Sequence, residues 1–184
     1  MTEDANRALA AEAATENTAL DAIEVLESDH RVAKQLFDDF EKTNASDLEA
    51  KGTLVRQACE MLTVHTIIEE AILYPAAHKA LSASDELDVD EAYVEHYIAK
   101  MLIEKFDTLK PGDHGFDATF KVLSEMVRHH IDEEESSLFP ELRESGVDLV
   151  RLGEEMVAEK ERLLKQLAAA GSRPVGDRSL TFRR

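Results

Sequence analysis

The segments HTIIEEAILYP (residues 65–75) and HIDEEESSLFP (130–140) each set a histidine four residues before a glutamate and ten before a proline. Two further histidines, His30 in HRVAKQLFDDF and His96 in HYIAKMLIEKF, share the Ala-Lys pair, the following leucine and the final phenylalanine. A histidine and a glutamate at i and i+4 stack on one helix face. Each pair can therefore grip a metal through the ring nitrogen while the carboxylate reaches a second ion. Two carboxylates stripped of water in one pocket cost several kcal/mol unless a cation compensates them. Two such pairs with two single histidines suit two metal ions, each held by two imidazoles and bridged by both carboxylates. Imidazole with carboxylate accepts iron, manganese, copper or zinc, and about five ligands per ion would leave room for an exogenous one. Redox chemistry with iron fits such an open paired site. Ferritin-like ligation needs two Glu-x-x-His motifs, whereas only Glu27 and His30 have that spacing.

The elements that must carry these residues are helices, because apolar residues recur at three and four rather than at two. A first helix, about 19 to 43, has Ile23, Leu26, Ala33, Phe37 and Phe40 on the stripe that includes His30. A second, about 47 to 80, carries Leu54, Ala58, Met61, Leu62, Ile68, Ile72 and Ala76 with His65 and Glu69, and Pro75 predicts a kink or an early end. A third, about 87 to 110, shows Val89, Ala92, Ala99, Ile103 and Phe106 with His96, and stops at PGDHG. A fourth, about 115 to 144, presents Phe116, Phe120, Leu123, Met126 and Val127, then His130 and Glu134. His65 aligns with His130 and His30 with His96, at offsets of 65 and 66. Two helical hairpins of one kind predict an all-α, up-down-up-down four-helix bundle with a pseudo-two-fold axis. At 1.5 Å per residue, the histidines lie roughly 20 to 25 Å from the bundle ends, near one level. An additional C-terminal helix bears Leu149, Leu152, Met156, Leu163 and Leu167 and is expected to pack outside the bundle or mediate assembly into a homo-oligomer. The expected organisation is an acidic extension (1–18), the bundle (19–144), the C-terminal helix (145–171) and a flexible tail (172–184).

Composition narrows the partners. With 184 residues and 43% hydrophobic content the chain fills one core. A net charge of −18 opposes phosphate backbones and anionic lipid, so neither nucleic acid nor membrane is an expected partner. The N-terminus MTEDANRALAAEAATENTAL lacks the basic start and apolar run of a secretion signal, which predicts a cytoplasmic protein. The single Cys59 reads as a small core residue.

His30, HTIIE at 65–69, His96 preceded by an acidic residue and HIDEE at 130–134, with LYP and LFP closing their helices, resemble the hemerythrin-like HHE cation-binding domain over about residues 20 to 144. The resemblance implies a non-haem di-iron centre: two iron ions with an oxo or hydroxo bridge, ligated by His30, His65, Glu69, His96, His130 and Glu134. It also implies a small ligand such as dioxygen, nitric oxide or peroxide. Oxygen-carrying hemerythrins have a fifth histidine one turn after the third-helix ligand, where this chain has Lys100. The four-histidine, two-glutamate set is more similar to proteins that repair iron centres under nitrosative stress and to hemerythrin-like sensors. Two functions follow: reaction with small oxidants, or a non-catalytic iron-binding, storage or sensing module.

Around that set, Lys34 and Lys100 occupy matching positions and are expected at the surface rather than at an exogenous ligand. Tyr93, one turn before His96, is a candidate outer donor to the site or a core aromatic with its hydroxyl near water. Glu70, Glu95, Glu133 and Glu135 read as a solvated acidic face, with Glu95 the best outer partner for a ligand. His78, His114 and His129 are not assigned to metal.

Overall fold

The computed structural model describes residues 20–81 and 86–170. The expected acidic extension (1–18) and the tail (172–184) lie outside the described residues. Five helices make up the fold, and there is no strand among the described residues. Helix α1 is Ala22–Lys42, α2 is Leu48–Ile68 continued by Glu69–Leu73 and Tyr74–Ala80, and α3 is Glu86–Lys105. Helix α4 is Phe116–Glu133 continued by Glu134–Leu138 and Phe139–Glu144, and α5 is Leu149–Ala170.

Local chemistry sets several of these boundaries. Asp21 accepts the Glu24 amide at 2.9 Å while Glu24 accepts the Asp21 amide at 2.9 Å, a reciprocal cap that starts α1. Asp47 accepts the Ala50 amide at 3.1 Å and starts α2. The third helix ends about five residues before PGDHG. Its last turn tightens through Phe106 amide to Ile103 carbonyl (3.0 Å) and Asp107 to Glu104 (3.1 Å), and the Phe106 ring then packs edge-on to Phe116 at 5.4 Å.

Pro75 does not end α2, which runs on to Ala80. The turn before it, Glu69–Leu73, is π-helical, with the Tyr74 amide donating to the Glu69 carbonyl. Pro140 follows an identical turn, Glu134–Leu138, in which the Phe139 amide donates to the Glu134 carbonyl. Proline has no N–H to give and its ring collides with the carbonyl four residues back. Widening the register to five residues ahead of it accommodates both demands, and each π turn opens on a glutamate.

The bundle interior consists of two apolar blocks. One contains Phe37, Phe40, Phe120, Leu123 and Ile131. The other contains Leu26, Ile68, Leu73, Tyr74, Phe139 and Leu142 together with Leu152, Met156, Leu163 and Leu167 of α5. Helix α5 is thus part of the core, seated against α1 and α2. Gly153 permits that seat, since a Cβ there would stand 2.3 Å from the Leu20 carbonyl oxygen. With that face occupied, the apolar residues α5 leaves to solvent are Val150, Val157 and Leu164. Cys59 is wholly buried, and desolvation pushes its thiol up to about 12, as befits an inert core residue. No helix among the described residues is long and apolar enough to cross a membrane.

Candidate metal centre

Between the two apolar blocks lies a polar layer. His30, His65, Glu69, His96, His130 and Glu134 are all buried, at 5% exposure or less, one from each of α1 and α3 and two from each of α2 and α4. The Nε2 atoms converge. His65 Nε2 is 3.1 Å and His96 Nε2 3.3 Å from Glu69 Oε2; His30 Nε2 is 3.3 Å and His130 Nε2 3.6 Å from Glu134 Oε2. His96 and His130 approach each other at 3.1 Å through their Nε2 atoms. Two groups of potential ligand atoms result: His30, His65, Glu69 and Glu134, and Glu69, His96 and His130. Glu69 belongs to both.

Each imidazole presents its other nitrogen to a carboxylate. His30 Nδ1 donates to Glu135 at 2.9 Å, His96 Nδ1 to Glu70 at 3.1 Å and His130 Nδ1 to Glu95 at 2.7 Å; His65 Nδ1 lies 3.6 Å from Asp29 Oδ2. Such outer carboxylates fix the tautomer and keep Nε2 free to point inward. They follow the internal repeat. Glu70 and Glu135 each come one residue after a layer glutamate, and Asp29 and Glu95 each come one residue before a layer histidine. Lys34 and Lys100 stay at the periphery, bonded to Glu135 and Glu70. Glu70 and Glu135 are therefore structural partners of the site and not merely a solvated face, while Glu95 takes the outer position expected of it. Tyr93 donates at 3.4 Å to the Glu70 carbonyl and packs edge-on against Tyr74, outside the layer.

Tyr74 was not legible as a site residue. Its hydroxyl donates to Glu134 Oε1 at 2.9 Å and lies 3.3 Å from His96 Nε2. The repeat puts Phe139 at the equivalent place, stacked 5.7 Å from His30. The only available signal was that asymmetry between LYP and LFP.

The electrostatics of the layer call for positive charge. Burial, and then the nearby Glu134 charge, pushes the Glu69 carboxyl up to about 8. Burial alone would raise Glu134 too, but the imidazoles of His130, His30 and His65 hold it well below the usual carboxylate range. Burial also lowers His130, which the Glu134 and Glu95 carboxylates more than reverse. Both oxygens of Glu69, Oε2 of Glu134 and Nε2 of His30 have no hydrogen-bond partner. Buried polar atoms are ordinarily satisfied, and this donor set of imidazole nitrogen and carboxylate oxygen fits first-row divalent cations.

Two cavities touch the layer. One of about 10 Å³, room for about one water, is bounded by His65, His96 and His130 and by apolar Leu62, Ala99, Met126 and Val127. The other, about 200 Å³, lies between α3 and α4 and is lined by Asp88, Glu91, Glu95, Glu133, Ser137, His130 and Glu134 among others.

The chain is 30% identical over 120 residues to a DNA nickase of Nostoc sp., covering 65% of this chain and 33% of that protein. It is 27% identical over 112 residues to an uncharacterized hemerythrin-like protein of Schizosaccharomyces pombe, covering 61% of this chain and 54% of the relative. The chain thus spans about a third of one curated relative and about half of the other. A crystal structure of a hemerythrin HHE cation binding domain-containing protein from Mycobacterium kansasii superposes with a TM-score of 0.70 at 23% identity, covering 86% of this chain and 99% of that one. The family model of the hemerythrin HHE cation binding domain matches residues 21–142, which takes in all four histidines and both glutamates of the layer, and the chain belongs to that family.

Proposed function

We propose that this chain holds two iron ions in the polar layer and reacts there with a small oxidant: dioxygen, peroxide or nitric oxide. The observation that carries the reading is the set of unpartnered buried atoms on Glu69, Glu134 and His30, in a layer whose other histidines, His65, His96 and His130, line a cavity with room for about one water-sized molecule. His30 and His65 would hold one ion and His96 and His130 the other, with Glu69 shared and Glu134 completing the set. A bound iron pair supplies one-electron and two-electron redox chemistry and an open coordination position.

The protein's own residues define what can enter and what happens to protons. Leu62, Ala99, Met126 and Val127 give the small cavity an apolar wall, which favours an uncharged diatomic or peroxide over an anion. Tyr74 is wholly buried, and burial, then the Glu134 and Glu69 charges, keeps its phenol protonated far above the ordinary range. Its hydroxyl is therefore a standing hydrogen-bond donor, directed at Glu134 Oε1 and 3.3 Å from His96 Nε2. The outer carboxylates of Glu135, Glu70 and Glu95 hold three of the rings in place through their Nδ1 atoms, and Asp29 stands 3.6 Å from the Nδ1 of the fourth, His65.

The Nostoc relative carries the name DNA nickase, and the match takes in a third of it. In this chain a net charge of −18 opposes a phosphodiester backbone, so strand cleavage is not part of the proposal. The test is anaerobic loading with ferrous iron followed by exposure to dioxygen, peroxide or nitric oxide. About two irons per chain and turnover faster than free iron are expected. Two irons with no reaction toward any of the three would leave a storage or sensing module, and fewer than two would remove the paired site.

A further inference from the structure

We infer that Glu95, His129 and Glu133 form a second, outer cation site, a station through which a divalent first-row metal ion passes on its way to the buried layer. The inference rests on the buried layer being a metal centre. One ligand atom from each of the three residues lies within 4.8 Å of the others. His129 and Glu133 stand at i and i+4 on α4, with Nε2 and Oε1 3.2 Å apart. Glu95 Oε2 accepts from His130 Nδ1 at 2.7 Å, which leaves the second carboxylate oxygen for another partner. An imidazole with two carboxylates is a donor set for divalent iron, manganese or zinc, and the exposed His129 and half-buried Glu133 leave the remaining positions to water.

The site leads somewhere. Glu95 and Glu133 line the cavity of about 200 Å³, whose wall also includes His130 and Glu134 of the layer. Glu134 is 2% exposed, and its Oε2 has no hydrogen-bond partner. Asp88 and Glu91 add further carboxylates to the same wall, so a cation entering the cavity meets negative charge from the surface to the layer.

The pseudo-symmetric face has no such route. The repeat puts Val64 and Ile68 opposite His129 and Glu133, and Asp29 opposite Glu95. Val64 and Ile68 are buried in the block that α5 completes, and Asp29 is closed off by Lys160 of α5. The fold thus seals one approach to the layer and leaves the equivalent approach open, lined with ligand atoms.

The experiment is anaerobic titration of the metal-free full-length chain with ferrous iron, by calorimetry for stoichiometry and by stopped-flow for filling rate. The wild type is expected to take two tight equivalents and one weaker one. His129→Ala with Glu133→Gln, at an exposed and a half-buried position outside the layer, should keep the two tight equivalents and lose the weaker one. Filling should slow by about tenfold, the low end of what a focused field adds to an on-rate. A double variant that keeps the third equivalent, or fills as fast as the wild type, overturns the outer site. Failure of the buried centre reads differently: the wild type would then lack the two tight equivalents, whatever becomes of the weaker one.

Discussion

Lys160 of α5 pairs with Asp29 of α1, and the other oxygen of the same carboxylate lies 3.6 Å from Nδ1 of His65. The appended helix is thereby linked, through one buried carboxylate, to a histidine of the polar layer. Lys160→Met should leave the buried Asp29 with only the His65 imidazole beside it, at a cost of about 2 kcal/mol, below the usual range for a buried pair because Lys160 is partly exposed. Asp29→Asn in the same chain should recover much of that loss. Urea denaturation of the metal-free single and double variants decides it. A lysine variant as stable as the wild type would show that the pair contributes nothing.

Glu69 is the residue common to both groups of ligand atoms. Glu69→Ala is expected to abolish uptake at both positions, and Glu134→Ala to weaken it most at the His30 and His65 side. His129→Ala alone should leave the two tight equivalents intact. Metal analysis after gel filtration checks all three. Two irons retained in both glutamate variants would refute the ligand assignment.

The pH dependence of the metal-free protein follows from Glu69, raised from 4.5 to about 8. A folded-state value above the unfolded one means the folded chain binds that proton more tightly. The stabilising contribution is fully present below pH 4.5 and is lost as pH rises toward about 8. Loading at pH 7 should accordingly release close to one proton from this carboxyl. Glu69→Gln should flatten the decline in melting temperature across that window while abolishing metal uptake. An unchanged slope in the glutamine variant would assign the decline to other groups.

Tyr74→Phe reproduces in the first half the phenylalanine that the second half already has at residue 139. The fold should persist, with a loss of about 1 to 3 kcal/mol from the unsatisfied oxygen left on Glu134. If the phenol hydrogen-bonds a bound oxidant, iron content should stay at two per chain while turnover falls and its pH profile changes. Full activity with an unaltered profile would restrict Tyr74 to holding Glu134.

The layer residues were legible in the sequence because each sits at helical spacing on a stripe of apolar neighbours, and because the offsets of 65 and 66 repeat the pattern. Glu70 and Glu135 were not, since a glutamate beside a buried one lies about 100° round a regular helix and reads as solvated. The π turns that begin at Glu69 and Glu134 alter that geometry, and periodicity has no term for them. Tyr74 was hidden for a related reason: its ring looks like any core aromatic until the fold brings Glu134, sixty residues away, against its hydroxyl. The place of α5 was open in the sequence between an outer layer and an assembly surface. Gly153, small enough for the Leu20 carbonyl to approach, lets it pack on the outside of the four-helix bundle against the start of α1.

The polar layer also divides the interior, with one apolar block on each side. Without a cation the two blocks meet across carboxylates and imidazoles that hold each other poorly, so cooperativity between the two ends of the bundle is weakest at that level. Amide hydrogen exchange on the metal-free chain should then resolve two separately opening units, one built on Phe37, Phe120 and Ile131, the other on Leu26, Tyr74 and Met156. A metal pair clamped across four helices would weld them into one, so that the same site that carries the chemistry also sets whether the molecule unfolds in two stages or in one.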